Sequence, residues 1–334
     1  MTSQPMADPA MSRTVRWPAA DDLEAARASV LHHLAPTPLV ASGTSWLKLE
    51  TLQPTGSFKV RGAIAALSAA PAESRIIAAS AGNHALGIAY ASEKLGIPAT
   101  VVIAETASVA KRSYLEQRPV TLIRYGKTVV EAEAHAIHLT ATSDVPAFYV
   151  SPYNDPVVIA GQSTVLDEIV ADRPAGPLRV IVPLGGGGLL AGVAMRAAEL
   201  RETGWDIEVV GVESSQSLAV STAVREGRTR DIAIGDTIAD GLSGNIEPGS
   251  ITVDILRHHG TRLIHVDDAL LRDTVRWLIR HHGLVVEGAG AAAVAALRSD
   301  ESLSRDRETI VILSGKNIAH HVLLDILREH ETST

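Results

Sequence analysis

From position 75 onward the chain alternates short apolar runs with segments whose apolar residues recur every three or four positions. RIIAAS (75–80) predicts a buried strand, and NHALGIAYASEKLG (83–96) predicts a helix. ATVVIA (99–104) with SVAKRSYLEQ (108–117) repeats the pair. TLIRY (121–125) with KTVVEAEAHAIHLTAT (127–142) repeats it again before AFYV (147–150). The turn-rich SPYNDP (151–156) interrupts the series and returns the chain to another lobe. A second series follows: LRVIVPL (178–184), four glycines, a helix near 189–203, IEVVGVE (207–213), another helix, and finally TIVILS (309–314). Residues 227–250 read as irregular. Apolar strands alternating with helices predict an α/β fold: open parallel sheets with helices on both faces.

Length and composition narrow this picture. At 334 residues the chain exceeds what one core usually serves, so two lobes are expected. Aromatics make up 3% of the residues, while Ala and Gly are plentiful, which favours helices packed closely on a sheet. A net charge of −8 with no basic stripe argues against nucleic acid and anionic membrane as partners. The absence of cysteine excludes disulfides, thiolate catalysis and cysteine–zinc sites. Residues 1–16 show no apolar core of a secretory signal, and the uncharged run 180–195 is broken by proline and glycines. A cytoplasmic location is the expectation.

In open α/β sheets, ligands gather at the carboxyl ends of the strands. Three such ends carry unusual chemistry here: SAGNH (80–84), GGGG (185–188) and SGKN (314–317). The glycine run lies between a strand and an Ala/Leu helix, where free N–H groups and the helix N-terminus suit a phosphate. It also satisfies G-x-G-x-x-A through Gly186, Gly188 and Ala191, with Glu213 ending the next strand, a weak dinucleotide fingerprint. The histidine doublets at 258–259, 281–282 and 320–321 lack metal-ligand spacing and read as solvated helix ends, so no metal site is expected.

Lys59 stands two residues after Ser57, which reads as a helix N-cap. A lysine in the first helical turn opposes the helix dipole by roughly 0.3–1 kcal/mol. At neutral pH a free lysine is unprotonated in only about one molecule in two thousand. Burial and the positive end of a helix both favour the neutral amine, which attacks aldehydes to form a Schiff base. A snorkelling surface lysine is the plainer reading of the position alone. Only six of the 30 cationic side chains are lysines, however, and Lys48, Lys59 and Lys316 fall in the candidate motifs. An aldehyde cofactor bearing a phosphate accounts for both Lys59 and the glycine run, and pyridoxal 5'-phosphate is such a cofactor.

LKLETLQPTGSFKVRGA, SAGNHALGIAYA, VPLGGGGLLAG, ADGLSG, VVEGAGAAAVAAL and ILSGKN, in that order, resemble the serine/threonine dehydratase family. These are fold-type II, tryptophan-synthase-β-like pyridoxal-phosphate enzymes, a branch that includes serine racemase. The resemblance covers roughly residues 35–325. It implies a discontinuous large cofactor-binding domain, residues 1–66 and 152–334, and a small substrate-loop domain, residues 67–151. It implies that Lys59 binds the cofactor and is the catalytic base, and that Phe58 packs beside the pyridine ring. Asn83 would hold the phenolic oxygen, and the N–H groups of Gly185, Gly186, Gly187, Gly188 and Leu189 the phosphate. Ser80, with the backbone of Ala81, Gly82, Asn83 and His84, would take the substrate carboxylate. Gly241 would pass near the cofactor, and Ser314 would face the pyridine nitrogen. Glu287 either lies over the ring or caps the helix of GAGAAAVAAL; Asn83 could be just the N-cap of its helix, which does not preclude the cofactor contact.

A neutral serine at the pyridine nitrogen favours quick loss of a β-substituent over a long-lived carbanion. The implied reaction is dehydration and deamination of L-threonine, L-serine or a related 3-hydroxy amino acid to a 2-oxo acid and ammonia, by a homodimer or higher homo-oligomer. Alternatives are an amino acid racemase of the same family, an NAD-dependent oxidoreductase, and a non-catalytic pyridoxal-phosphate carrier. Three departures stand out. Ala219 replaces an acidic residue of the metal-binding relatives. Lys316 replaces a small one. The chain stops soon after the last motif, so feedback through a C-terminal regulatory domain is not expected.

Overall fold

The computed structural model describes residues 15–173 and 176–329. The first 14 residues, most of the segment read as lacking a secretory signal, lie outside the described residues. After α1 (Ala20–His33) come β1 (Leu39–Ser42), β2 (Ser45–Leu49) and α2 (Lys59–Ser68). The first predicted series then appears as β3 (Arg75–Ala79), α3 (Asn83–Leu95), β4 (Ala99–Ile103), α4 (Val109–Glu116), β5 (Thr121–Arg124), α5 (Val129–Ala141) and β6 (Ala147–Tyr149). Next come α6 (Pro156–Asp172), β7 (Pro177–Pro183), α7 (Gly188–Glu202), β8 (Asp206–Ser214) and α8 (Ala219–Glu226). The chain continues through α9 (Ile251–His258), β9 (Arg262–Val266), α10 (Asp268–His282), α11 (Gly288–Ser299), β10 (Glu308–Leu313) and α12 (His320–Arg328).

The strands form two sheets. Six lie in the order β1-β2-β10-β7-β8-β9 and four in the order β5-β4-β3-β6. All pairings are parallel except β1 with β2, an antiparallel hairpin at the edge of the larger sheet. β4 is buried at every position and β10 at all but its first, as strands covered on both faces must be. Among the described residues, no helix is long and apolar enough to cross a membrane.

Local chemistry explains several boundaries. Thr128 and Glu131 form a reciprocal capping box at the start of α5. Asp155 caps α6, with Pro156 in the first turn. α6 is clasped between α1, α2 and α7 and buries 11 of its 17 residues, so it carries no polar face to reveal a helical period. The histidine doublets do occupy helix ends, but they are not simply solvated. Trp17 packs edge-on to His258 at 5.3 Å, and His282 Nε2 lies 3.1 Å from Ser42 Oγ.

The first turn of α2 is fixed from below. Arg61 is fully buried and donates to Glu50 at 2.7 and 2.8 Å, to Glu168 at 2.6 Å and to Thr164 at 3.1 Å. Lys48, also fully buried, donates to Glu168 at 2.6 Å and to the Thr37 carbonyl at 2.5 Å. Two cations and two carboxylates thus satisfy one another away from water, the condition under which buried charge is tolerated. Lys48 is therefore part of the scaffold beneath Lys59.

Candidate active site

Lys59 is the first residue of α2, as the sequence predicts, but Ser57 does not cap the helix. Phe58 occupies the cap position and no side chain caps it. Ser57 instead pairs through its backbone with Gly315, and its buried hydroxyl has no partner among the described residues. The Phe58 N–H donates to the Ser314 carbonyl at 3.0 Å, tying the lysine turn to the end of β10. α3 passes close behind: a Cβ on Gly87 would lie 3.1 Å from the Lys59 carbonyl oxygen, so only glycine fits without displacement.

Lys59 Nζ donates to the Pro152 carbonyl at 2.7 Å and stands 5.1 Å from the centre of the Phe58 ring. Burial lowers its pKa to about 8, opposed by attraction from Glu287. Glu287 is buried, and burial with the charge of Asp240 raises its carboxyl to about 7. Glu287 precedes α11, but its side chain makes no capping bond, which removes the capping alternative. Its carboxylate instead accepts from Asn83 Nδ2 at 2.7 Å. Asn83 is the first residue of α3, with Gly82 as its cap, so it is not an N-cap either. Asn317 Nδ2 donates to Asn83 Oδ1 at 2.6 Å and to the Thr55 carbonyl at 2.8 Å.

The 80–84 loop runs from β3 into the N-terminus of α3. Ser80 Oγ accepts the Gly82 N–H at 3.1 Å, and the first-turn N–H groups of α3 have no intrahelical acceptor. His84 is buried, with Nε2 at 2.9 Å from the Val150 carbonyl. Burial, then nearby Lys59, pushes its pKa down to about 3, so the ring stays neutral, consistent with a structural histidine.

Gly185, Gly186, Gly187 and Gly188 lead from β7 into α7, followed by Leu189. Among the described residues, no backbone carbonyl accepts from the N–H groups of 185–189. The loop is pressed on its other side. A Cβ on Gly186 would sit 2.4 Å from the Tyr153 ring, and one on Gly185 would sit 2.6 Å from the Gly241 carbonyl. Gly241, in the turn Asp240–Leu242, thus packs on the glycine loop. Ser314 is buried at the end of β10.

A cleft of about 640 Å³ opens between the two sheets. Its walls include Ser80, Ala81 and Lys111 on one side and Asp240, Glu287 and Asn317 on the other. The arrangement fits pyridoxal phosphate: a buried amine whose pKa is lowered to about 8, N–H groups on a pinned glycine loop that no backbone carbonyl accepts among the described residues, and the Asn83 amide. It does not fit a nicotinamide dinucleotide. The Glu213 carboxylate, needed for a ribose, accepts the N–H groups of Val220 and Ser221 at the start of α8. Tyr153, Asn317, Lys111 and Asp240 join the site without having been singled out. Asn317 lay within SGKN, but nothing in the sequence marks its bond to Asn83.

Known proteins extend the picture. The chain is 35% identical over 282 residues to an L-threonine ammonia-lyase of Thermotoga maritima, covering 84% of this chain and 68% of the relative. The structure of maize serine racemase superposes with a TM-score of 0.83 at 26% identity, over 95% of this chain and 99% of that one. The processed form of threonine deaminase isoform 2 from Solanum lycopersicum gives 0.82 at 26% identity, over 97% and 98%. Residues 30–315 match the pyridoxal-phosphate dependent enzyme family, and the chain belongs to it.

Proposed function

We propose that this enzyme eliminates water from L-threonine, L-serine or a related 3-hydroxy amino acid and releases a 2-oxo acid and ammonia. The observation that carries the reading is Lys59: a buried amine at the start of α2, 2.7 Å from the Pro152 carbonyl and 5.1 Å from the centre of the Phe58 ring, whose burial lowers its pKa to about 8. When bound, the cofactor supplies an aldehyde for the substrate amine and a ring that draws electrons from Cα. Lys59 would hold the cofactor, and its amine would take the Cα proton of the substrate. The first-turn N–H groups of α3, with Ser80, hold the substrate carboxylate. Asn83 steadies the phenolic oxygen. Gly185, Gly186, Gly187, Gly188 and Leu189 hold the phosphate, and Phe58 flanks the ring. Ser314 would offer the pyridine nitrogen a neutral hydroxyl and no carboxylate. That favours prompt departure of the β-hydroxyl over prolonged charge at Cα.

In this reading residues 1–66 and 152–334 form the cofactor domain and 67–151 the small domain, a division supported by the two separate sheets. The names of the threonine ammonia-lyase and threonine deaminase relatives support the substrate class. A cytoplasmic homodimer or higher homo-oligomer completes the proposal, resting on composition and family likeness. The test is a panel of L-hydroxy amino acids with detection of 2-oxo acid and ammonia. Turnover of threonine or serine at stoichiometric yields supports elimination. Loss of optical purity with no 2-oxo acid points to racemisation.

A further inference from the structure

Lys111, in α4, lies on one wall of the cleft and Asp240, in the turn Asp240–Leu242, lies on the other. Lys111 Nζ stands 3.0 Å from Asp240 Oδ2. Among the described residues, this is the one ion pair that joins the small-sheet segment 67–151 to the rest of the chain. Two side-chain hydrogen bonds span the same gap, one donated by Asn83 to Glu287 and one by Asn317 to Asn83.

The position of each partner gives the pair leverage. Asp240 precedes Gly241, whose carbonyl abuts the first glycine of the loop at 185–188. Lys111 sits in the helix that follows β4, beside the strand that carries the 80–84 loop. Joining the two therefore sets the distance between the carboxylate-receiving loop and the glycine loop. The side chains are 43% and 67% exposed, so the pair is weak: an exposed ion pair shifts an equilibrium by no more than about five-fold. A contact of that strength suits a joint that must open for every substrate and product. Both partners also bear on Glu287, in opposite senses, so the bridge keeps its carboxyl from feeling Asp240 alone.

We propose that Lys111 and Asp240 are positioning residues that clasp the cleft over bound substrate, aligning the 80–84 loop with the cofactor. The kinetic part of this inference rests on the elimination reading; the cross-linking part does not.

Two measurements on the holoenzyme test it. Zero-length carbodiimide coupling joins an amine and a carboxylate in contact, with loss of water. It is expected to link the peptide containing Lys111 to the one containing Asp240, and mass spectrometry reads the product. Separately, Lys111→Met and Asp240→Asn are each expected to lower kcat/KM about two- to five-fold, chiefly through KM. Raising ionic strength should lower kcat/KM of the wild type toward the same level and leave the variants flat. The charge exchange, Lys111→Asp with Asp240→Lys, should recover most of the loss, which a merely local effect of either residue would not do. Holoenzyme absorbance verifies that each variant keeps its cofactor. Absence of the cross-link overturns the clasp, as do single variants with wild-type kcat/KM and wild-type salt response. An enzyme that forms the cross-link but turns over no hydroxy amino acid overturns the elimination reading and leaves the clasp standing.

Discussion

Asn83 Nδ2 donates to Glu287 Oε1 across 2.7 Å while Asn83 Oδ1 accepts from Asn317 Nδ2 at 2.6 Å. One side chain at the tip of α3 is thereby bracketed by two residues from the other side of the cleft, and its amide orientation is fixed. An asparagine amide has two N–H donors, and only one is given to Glu287. In the proposed site the second would serve the cofactor oxygen, with Glu287 aiming the Asn83 amide.

Glu287 is predicted to make the cofactor-free protein less stable as pH rises. Burial, with Asp240, raises its pKa from 4.5 in the unfolded chain to about 7 in the fold. Between those values the folded state binds more protons than the unfolded state, so stability falls as pH rises through the window. Below pH 4.5 the effect vanishes, and above pH 7 it is complete. Glu287→Gln keeps an acceptor for Asn83 and removes the titration. Urea unfolding should show the variant gaining up to on the order of 3 kcal/mol over wild type at pH 8, and nothing at pH 4. Equal gains at both pH values would contradict the raised carboxyl.

Lys59 is predicted to govern cofactor capture with a pH dependence of its own. An aldehyde is attacked only by the neutral amine, and burial brings the Lys59 pKa down to about 8. The rate at which cofactor-free enzyme takes up pyridoxal phosphate should rise with pH and level off above that value. An exposed lysine would give a rise centred near 10.4. Borohydride reduction should leave the cofactor on the peptide containing Lys59, and Lys59→Ala should abolish both attachment and turnover. Attachment at Lys48 is excluded by its burial in the ion cluster under α2; attachment at Lys316 would overturn the assignment.

The legible parts of the molecule were those in which local sequence carries the physics. Lys59 was legible because a lysine is out of place in a first turn. The glycine loop was legible because four glycines between an apolar strand and helix have few structural uses. The alternating series from β3 to β6 followed from periodicity alone. What stayed hidden depends on contacts distant in sequence. α6 is buried around most of its circumference and has no polar stripe. Glu213 looked like a ribose ligand until the N–H groups of Val220 and Ser221 claimed it. Ser57 had the residue type of a cap and is drawn away by its pairing with Gly315. The Asn83–Glu287 bond spans 204 positions, beyond the reach of any local pattern.

Gly186 is predicted to tolerate no side chain. Its added Cβ would lie 2.4 Å from Cγ of the Tyr153 ring. The ring has little freedom to retreat, because the Tyr153 hydroxyl accepts the Glu247 N–H at 2.9 Å. Gly186→Ala must therefore displace the loop itself and misdirect its N–H groups. Overpacking of this kind typically costs about 1–3 kcal/mol. Cofactor titration by absorbance should show at least about ten-fold weaker binding, as expected when roughly 1.4 kcal/mol of that cost falls on the bound state. Unchanged affinity for both pyridoxal phosphate and competing inorganic phosphate would show that the loop does not hold the phosphate.

The enzyme is predicted to eliminate without racemising efficiently. Inversion at Cα needs one group to remove a proton and another, on the opposite face, to return it. Lys59 supplies one such group. In racemases of this branch the second is a serine just before the Gly-Asn-His of the substrate loop, and here that position is Ala81. Ala81 lines the cleft wall. A methyl group cannot transfer a proton. The neighbouring Ser80 is a poor substitute: it stands one residue earlier, and adjacent side chains at the mouth of a helix point in different directions. General acid–base assistance is worth about 10²–10⁴ in rate, so its absence should leave racemisation slower than dehydration by a comparable factor. Chiral analysis of residual L-serine during turnover measures this directly. Wild type should retain its L-configuration while 2-oxo acid accumulates, and Ala81→Ser should generate D-serine with elimination retained. Rapid formation of D-serine by the wild type would mean that another group, or water held at that position, serves the second face.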